Sequence, residues 1–351
     1  MKIPSARGLS RLGPRGTFGV ALLDAATGND RIVGLTADLA ITAGMERFRA
    51  QMPERFVNVG IAEQNMVGIA AGLADDGWIP FAVTFANFAA MRSCEFVRHH
   101  LGYMQQNVKM VGIGAGFAMG QFGTTHYSLE DVAVLRAVPN LTIVSPADCG
   151  EVYEAVHALS VSSFPAYLRL SGVPSMPSVA QEGTEFQIGR ARVLRGGSDV
   201  TLVATGSMVS VALGAASLMS GRGLSVGVLN MHTIKPVDEK ALTRLMGQTT
   251  ALVTVEEHSV LGGLGGAVAE VVAAIPGGPP VLRLGVRDAF PKVGSYQYVL
   301  EQCGLTDRSV AAAAEEWLTA ISRRRSPAVW ATAIRPSATG AIAGDAAGSR
   351  G

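Results

Sequence analysis

The chain has 351 residues, of which 48% are hydrophobic and 16% are charged. This composition is too apolar for a disordered protein, and at this length we expect a substantial core divided into about two domains. The formal net charge of +1 argues against binding to nucleic acid or to an anionic membrane as the main function.

Residues 1–16 are basic but lack the apolar run of a secretory signal. The three cysteines, Cys94, Cys149 and Cys303, lie far apart and form neither a redox pair nor a zinc-binding spacing. We therefore interpret them as reduced thiols and expect a cytoplasmic protein.

Short β-branched segments alternate with helix-length segments along the chain. This alternation predicts an α/β fold with two doubly wound domains, each a parallel sheet covered by helices on both faces. The strands of the first domain are predicted at residues 31–36, 79–85, 108–113, 141–145 and 166–171. Those of the second domain are predicted at residues 199–204, 225–231, 251–257 and 281–286.

Changes in composition indicate where the domains begin and end. We expect an N-terminal extension over residues 1–13, a first domain over 14–178 and a second over 189–325. Prolines and small residues interrupt the periodicity just before a polar linker at 179–188. Residues 326–351 are rich in Ala, Gly, Ser and Pro, which predicts a disordered tail.

Three segments of the first domain could carry chemistry. Gly-Ile-Ala-Glu-Gln-Asn (60–65) opens a predicted helix with Glu63 in its first turn, where an acid by itself only complements the helix dipole by about 0.3 to 1 kcal/mol. Thr-Phe-Ala-Asn-Phe (84–88) ends a predicted strand, and Gly-Thr-Thr-His (123–126) precedes a helix. Taken singly, the aromatic residues suit a core and the histidine suits a helix cap.

Together and in this order, the three segments resemble the pyrimidine-binding domain of transketolases. The remainder of the chain resembles the C-terminal domain of that family through Leu-Val-Ala-Thr-Gly-Ser (202–207), Thr-Ile-Lys-Pro-Val-Asp (233–238) and the glycine-rich segment 262–270. The resemblance covers about residues 14–320. An ordered set of this kind is far more specific than any of its members.

The resemblance implies that the chain binds thiamine diphosphate. Glu63 matches the glutamate that hydrogen-bonds the aminopyrimidine ring and activates the cofactor. Phe88 matches the aromatic residue that stacks on this ring, and Phe85 is expected to form another wall of the pocket. His126 matches a histidine that contacts a substrate oxygen near the reacting carbon, so Glu63 and His126 are the expected catalytic residues.

Substrate binding is expected to differ from that of ordinary transketolases. Arg15 and Thr42 match residues that bind the substrate phosphate, but Phe122 replaces the acidic residue that contacts a sugar hydroxyl. Gly114 and Gly172 stand where the family has a phosphate-binding histidine and arginine. Arg169 should point to the face of its strand opposite to Leu170, so we do not expect it to substitute for that arginine.

The chain contains no Gly-Asp-Gly motif of the kind that binds magnesium and the diphosphate in this family. The resemblance therefore implies a separate diphosphate-binding subunit, which would supply the Mg²⁺ ligands, whereas no metal ligand is expected in this chain. We expect a heterotetramer, self-association through the pyrimidine-binding and C-terminal domains, and small-molecule ketose and aldehyde substrates.

Two other functions remain open at this point. The chain could be the β-subunit of a 2-oxo-acid dehydrogenase or a related acyl-transfer enzyme, which shares the layout and the glutamate, or a noncatalytic paralogue that only stabilises a partner. Dinucleotide binding is disfavoured because residues 112–116 lack the third glycine of that motif. His99 and His100 are predicted on a surface helix, and His258 is predicted to have no metal-binding role.

Overall fold

The structure, a computed structural model, describes residues 6–171, 176–179 and 186–324. The predicted tail, residues 326–351, lies outside the described residues, as do residues 180–185 of the predicted linker. The described part folds into two α/β units, each built on a sheet of mainly parallel strands. Within these residues, no helix has the length and apolar character needed to cross a bilayer.

The first sheet has seven strands in the order β10-β5-β6-β4-β3-β1-β2. All its neighbours are parallel except β10, which runs antiparallel to β5 at the edge. Its strands are β1 (Ile32–Thr36), β2 (Phe56–Asn58), β3 (Ile79–Phe85), β4 (Lys109–Ala115), β5 (Thr142–Val144), β6 (Ala166–Ser171) and β10 (Thr233–Lys235).

Helices cover both faces of this sheet. On one face, α1 and α6 bury a core that includes Phe18 and Leu159, and on the other face α3 and α5 bury Met66 and Leu135. A left-handed residue, Gly13, breaks α1 just before Pro14. The helices of this unit are α1 (Ala6–Gly28), α2 (Glu46–Gln51), α3 (Glu63–Asp75), α4 (Cys94–Phe96), α5 (Asp131–Arg136) and α6 (Cys149–Ser160), with wider π-type turns at Phe88–Arg92 and Val97–Tyr103.

The second sheet has five strands in the order β12-β11-β8-β9-β7, of which only β7 is antiparallel to its neighbour. Helices α7 and α11 pack on one face, and α8 and α9 lie on the other. The elements are β7 (Arg192–Arg195), β8 (Val200–Ala204), β9 (Val226–Asn230), β11 (Leu252–Ser259), β12 (Val281–Val286), α7 (Met208–Ser220), α8 (Glu239–Met246), α9 (Leu264–Ala273), α10 (Tyr296–Gln302) and α11 (Asp307–Arg324).

All nine predicted strands are present, and β3, β6 and β12 have the predicted bounds. The sequence did not predict the short strands β2, β7 and β10. Residues 233–235 fall within the predicted range of the second domain, yet the strand β10 that they form belongs to the first sheet.

The two units are joined through this shared strand. Thr233 of β10 pairs with Val144 of β5, and the preceding His232 carbonyl accepts a hydrogen bond from Ser145 N at 2.7 Å. The Lys235 ammonium donates to the carbonyl oxygens of Arg136 and Val138 beyond the end of α5. Because each contact links the two units, the sheet edge fixes their relative position.

Candidate functional site

The carboxyl ends of β1 to β4 meet at one edge of the first sheet, as the carboxyl ends of neighbouring parallel strands must. Asn58, at the end of β2, fixes two of the loops there. Its side-chain oxygen accepts hydrogen bonds from Asp38 N and Gly60 N, each at 3.0 Å, and its amide donates to the Asp38 carboxylate at 3.0 Å. The approach to α3 is therefore tied to the loop after β1.

Glu63 is the first residue of α3, and its side chain is only 3% exposed. Arg92 Nη1 donates to Glu63 Oε1 at 2.7 Å. No sequence motif marks Arg92, although it follows Phe88 by four residues on a helical segment, a spacing that places both residues on one face. The contact brings the end of this segment onto the start of α3.

Four rings form an aromatic cluster beside this ion pair. Phe85 and Phe88 meet edge to face with their centroids 5.8 Å apart, and the His126 ring lies 5.8 and 5.6 Å from them. The Arg92 guanidinium carbon stands 4.0 Å from the centre of the Phe88 ring. The structure therefore brings Glu63, Phe88 and His126 into one site, with Arg92 as the link, while their chemical roles stay predictions.

Phe122 is the fourth ring and forms the outer side of the cluster. It is 61% exposed and packs on the His126 ring with a centroid distance of 5.0 Å. Thr125 Oγ1 lies 2.9 Å from His126 Nδ1, and the Asn87 amide donates to the Thr125 carbonyl at 2.7 Å. The histidine is thus held from both sides, and the exposed face of the cluster at Phe122 is apolar.

The backbone of α1 around Arg15 lies against the turn that contains Thr42. A Cβ atom on Gly19 of α1 would lie 1.9 Å from the carbonyl oxygen of Gly44, and one on Gly44 would lie 2.5 Å from that of Arg15. These glycines let α1 rest on the turn that contains Thr42. Among residues 6–171, no side-chain hydrogen bond joins Arg15 or Thr42 to Glu63 or to the aromatic cluster, so their substrate-binding role stays a prediction.

The side chains of the cluster fit a planar heteroaromatic ring. A buried carboxylate at a helix start can share a proton with a ring nitrogen, and Phe88 offers a stacking surface. A proton-sharing carboxylate and an aromatic stacking surface are the two contacts expected for the aminopyrimidine ring of thiamine diphosphate. In the described ranges, no group of three or more His, Cys, Asp or Glu side chains could hold a metal ion.

A buried charge network that no sequence motif predicts lies where the two units meet. Arg169 Nε and the Tyr167 hydroxyl both donate to Asp131 Oδ2 at 2.8 Å. Burial alone would raise the pKa of Asp131, but the Arg169 charge, His258 and the hydrogen bonds from Arg169 and Tyr167 together outweigh burial and hold this pKa below its usual value. As predicted, Arg169 points away from Leu170, which packs in the core under α1 and α6.

His258 of β11 closes this network from the second unit. Its Nε2 accepts a hydrogen bond from Ala133 N at 3.2 Å, and its Nδ1 lies 2.7 Å from the Ser259 carbonyl oxygen, which fixes a neutral tautomer with the proton on Nδ1. Burial lowers the pKa of His258 to about 4 despite the nearby Asp131 carboxylate. The residue is structural, and the run of two acids and a histidine (256–258) in a buried strand was the signal for it.

Glu257 of β11 fixes the loop that carries Phe122 and His126. Its Oε1 accepts from Phe117 N at 2.6 Å, and its Oε2 accepts from the Tyr296 hydroxyl at 2.8 Å and from Ser207 Oγ. Together with hydrogen bonds from Gly294 N to the Gly120 carbonyl and from the Tyr127 hydroxyl to the Lys292 carbonyl, this carboxylate ties the loop of the aromatic cluster to the second unit. Burial raises the pKa of this carboxyl group.

Both units of the chain match known protein families. The model of the transketolase pyrimidine-binding domain matches residues 14–172, and that of the transketolase C-terminal domain matches residues 189–310. Among curated proteins, the chain is 44% identical over 303 residues to the 6-deoxy-6-sulfo-D-fructose transketolase subunit SqwH of Clostridium sp. (strain MSTE9), covering 86% of this chain and 93% of that protein. It is 37% identical to one subunit of the apulose-4-phosphate transketolase of Phocaeicola vulgatus, covering 87% and 97%.

Solved structures agree with these matches. A split-gene transketolase recorded as an inactive beta4 tetramer superposes with a TM-score of 0.78 at 41% identity, covering 87% of this chain and 98% of that chain. The transketolase of Leishmania mexicana gives a TM-score of 0.74 at 25% identity. Here 87% of this chain matches only 45% of the solved chain, so the chain spans about half the length of that relative.

Proposed function

Because the chain belongs to the transketolase family, we propose that it is the pyrimidine-binding subunit of a two-component, thiamine-diphosphate-dependent transketolase. The enzyme transfers a two-carbon ketol unit from a ketose donor to an aldehyde acceptor. The observation that carries the proposal is the convergence of Glu63, Phe88 and His126 through Arg92, since three separate family motifs supply these residues. The proposed domain limits are residues 14–178 and 189–325.

Within the site, Glu63 and His126 are the proposed catalytic residues. When bound, thiamine diphosphate supplies an electron sink that lets a carbon–carbon bond beside a ketone break. Glu63 holds a proton at the pyrimidine ring nitrogen, and its burial shields this proton from water. Phe88 stacks on the ring and Phe85 limits its movement, while His126 binds an oxygen of the substrate next to the reacting carbon.

A separate subunit is proposed to supply the ligands for Mg²⁺ and the diphosphate. The chain has no Gly-Asp-Gly motif, and two of its curated relatives are named as subunits. We propose a heterotetramer in which this chain also self-associates through its pyrimidine-binding and C-terminal domains. The exposed apolar side chains of Ile41, Ile61 and Met91, which follow β1, β2 and β3, support an interface at this edge.

The proposed donor is a ketose whose anionic group or hydroxyl pattern differs from that of the common pentose phosphates. Phe122 removes a hydroxyl-binding carboxylate from the rim of the site, whereas Arg15 and Thr42 remain available for an anionic group. The names of the relatives point the same way, since one refers to 6-deoxy-6-sulfo-D-fructose and the other to apulose 4-phosphate.

The test is reconstitution with the diphosphate-binding subunit. We expect ketol transfer only from the assembled complex, only with thiamine diphosphate and Mg²⁺, and with higher kcat/KM for 6-deoxy-6-sulfo-D-fructose or apulose 4-phosphate than for xylulose 5-phosphate. Full turnover by this chain alone would contradict the need for a partner. Normal efficiency with xylulose 5-phosphate alone would contradict the altered substrate binding, and acylation of a lipoyl acceptor would favour the acyl-transfer alternative.

A further inference from the structure

The Arg92 guanidinium makes two contacts in the candidate site. Its Nη1 donates to Glu63 Oε1 at 2.7 Å, and its central carbon stands 4.0 Å from the centre of the Phe88 ring. These are the carboxylate and the ring that the proposed function assigns to the aminopyrimidine. A single side chain, Arg92, therefore occupies both groups that the proposed function assigns to the cofactor ring.

The match extends to the chemistry of the two groups. A guanidinium is planar, carries N–H donors at its edge and stacks on aromatic faces, as a protonated or amine-bearing pyrimidine also does. Phe85 and His126 pack against the partly buried Phe88 ring, with centroids 5.8 and 5.6 Å away, and the Arg92 guanidinium lies over its face. Two planar groups would compete for it.

The two partners of the ion pair differ in access to water. The Glu63 side chain is 3% exposed, whereas the Arg92 side chain is 45% exposed and stands at the end of the turn Phe88–Arg92. The carboxylate is fixed at the start of α3, while the guanidinium can rotate toward solvent and regain its hydration. If the pair breaks, Arg92 is the group that moves.

We propose that Arg92 is an exchangeable partner of Glu63, which the aminopyrimidine ring displaces when the cofactor binds. This inference rests on the proposed roles of Glu63 and Phe88. The arginine neutralises a buried carboxylate that would otherwise lack a counter-charge, and it lowers the affinity for the cofactor because its contacts must be broken first. Arg92 is thus a positioning residue that sets cofactor exchange, and it takes no part in the chemical step.

Direct binding tests this role. Thiamine diphosphate with Mg²⁺ is titrated calorimetrically into the complex of this chain with its diphosphate-binding subunit, for the wild type, Arg92→Met and Arg92→Lys. We expect Arg92→Met to bind about twofold to fivefold more tightly, as for removal of a half-exposed ion pair that competes with the ligand. Arg92→Lys should lie between the two, because an ammonium pairs with Glu63 but stacks less well on Phe88.

The matched control is Arg98→Met. Arg98 is an exposed arginine in the next turn of the same helical region, so its loss changes the net charge equally without touching Glu63. The complex that contains Arg98→Met should bind thiamine diphosphate with the affinity of the wild type. In a structure of the complex with cofactor bound, the Arg92 guanidinium should stand beyond hydrogen-bonding distance of Glu63, which also tests the idea if Arg92→Met fails to assemble.

Several outcomes would overturn the proposal. Weaker binding by Arg92→Met would mean that the arginine contacts the cofactor, and unchanged binding would mean that the pair stays intact. A guanidinium still bonded to Glu63 in the cofactor-bound complex would have the same meaning. If the wild-type complex binds no thiamine diphosphate, the proposed function fails with it, whereas normal wild-type binding with no gain in the Arg92 variants refutes this inference alone.

Discussion

The proposed cofactor site and the junction between the two units both contain a carboxylate paired with an arginine, but the two pairs differ in their exposure to water. At the site, Glu63 is buried and Arg92 is half exposed. At the junction, Asp131 and Arg169 are both buried, the Tyr167 hydroxyl also donates to Asp131, and Arg169 donates to two carbonyl oxygens. A pair that must exchange partners keeps access to water, whereas the pair that joins two parts of the fold is buried on both sides.

The largest effect should come from replacing Glu63, the acid of the exchangeable pair. We expect Glu63→Gln to lower turnover of the assembled complex by roughly a hundredfold to ten-thousandfold, the usual range for a lost general acid–base group. Folding should be unaffected, because a glutamine oxygen can still accept from Arg92. Steady-state kinetics checks this, with the exposed neighbour Gln64→Ala as control, and unchanged turnover would instead indicate a noncatalytic protein.

The sealed pair should matter for stability. Arg169→Met leaves the Asp131 carboxylate buried without its counter-charge, which we expect to lower the free energy of unfolding by about 3 to 5 kcal/mol. Urea denaturation measures this change. Adding Asp131→Asn to the same variant should restore part of the loss, and full additivity of the two substitutions would contradict the pairing described here.

The junction should also respond to acid. His258 is neutral in the fold because burial lowers its pKa to about 4, from 6.5 for an unperturbed histidine. Between these pH values the unfolded chain binds more protons than the native one. The contribution of His258 to the free energy of unfolding is therefore fully present above about pH 6.5 and is lost as the pH drops toward 4, by up to roughly 3 kcal/mol.

Urea titrations at a series of pH values check this dependence. Burial also lowers the pKa of His232 to about 4, so a His258→Gln variant should flatten the profile without abolishing it. The exposed His99→Gln serves as control and should keep the wild-type slope. A His258→Gln profile identical to that of the wild type would show that another group carries the acid sensitivity.

The smallest effect should come from Glu257, which connects the junction to the aromatic cluster. Glu257→Gln replaces one accepting oxygen with a donor and loses a hydrogen bond that fixes the loop with Phe122 and His126. We expect kcat/KM to fall by about tenfold while the cofactor affinity stays unchanged. Ser207→Ala removes only one donor to Glu257 and should do less. Loss of cofactor affinity in Glu257→Gln would show that the junction also shapes the Glu63 pocket.

The sequence predicted those parts that lie in local motifs. Glu63, Phe88 and His126 stand in short segments with their own pattern, and the buried strands are continuous apolar runs. The ion pairs were not predictable in this way, because Arg92 lies 29 residues from Glu63 and Arg169 lies 38 residues from Asp131. Which side chains meet across such distances depends on tertiary packing, and strands of three residues such as β10 are too short to show a period.

The strand Thr233–Lys235 has a consequence for any attempt to exchange parts of this protein with a relative. If a chimera is joined in the linker, the second unit of the relative must supply a β10 strand that pairs with β5 in the same register. A mismatch would leave β5 as an unpaired edge of the first sheet, which promotes aggregation. Domain exchange should therefore succeed only between relatives whose β10 pairs with β5 in the same register. For the same reason, the two units should unfold together as one cooperative unit.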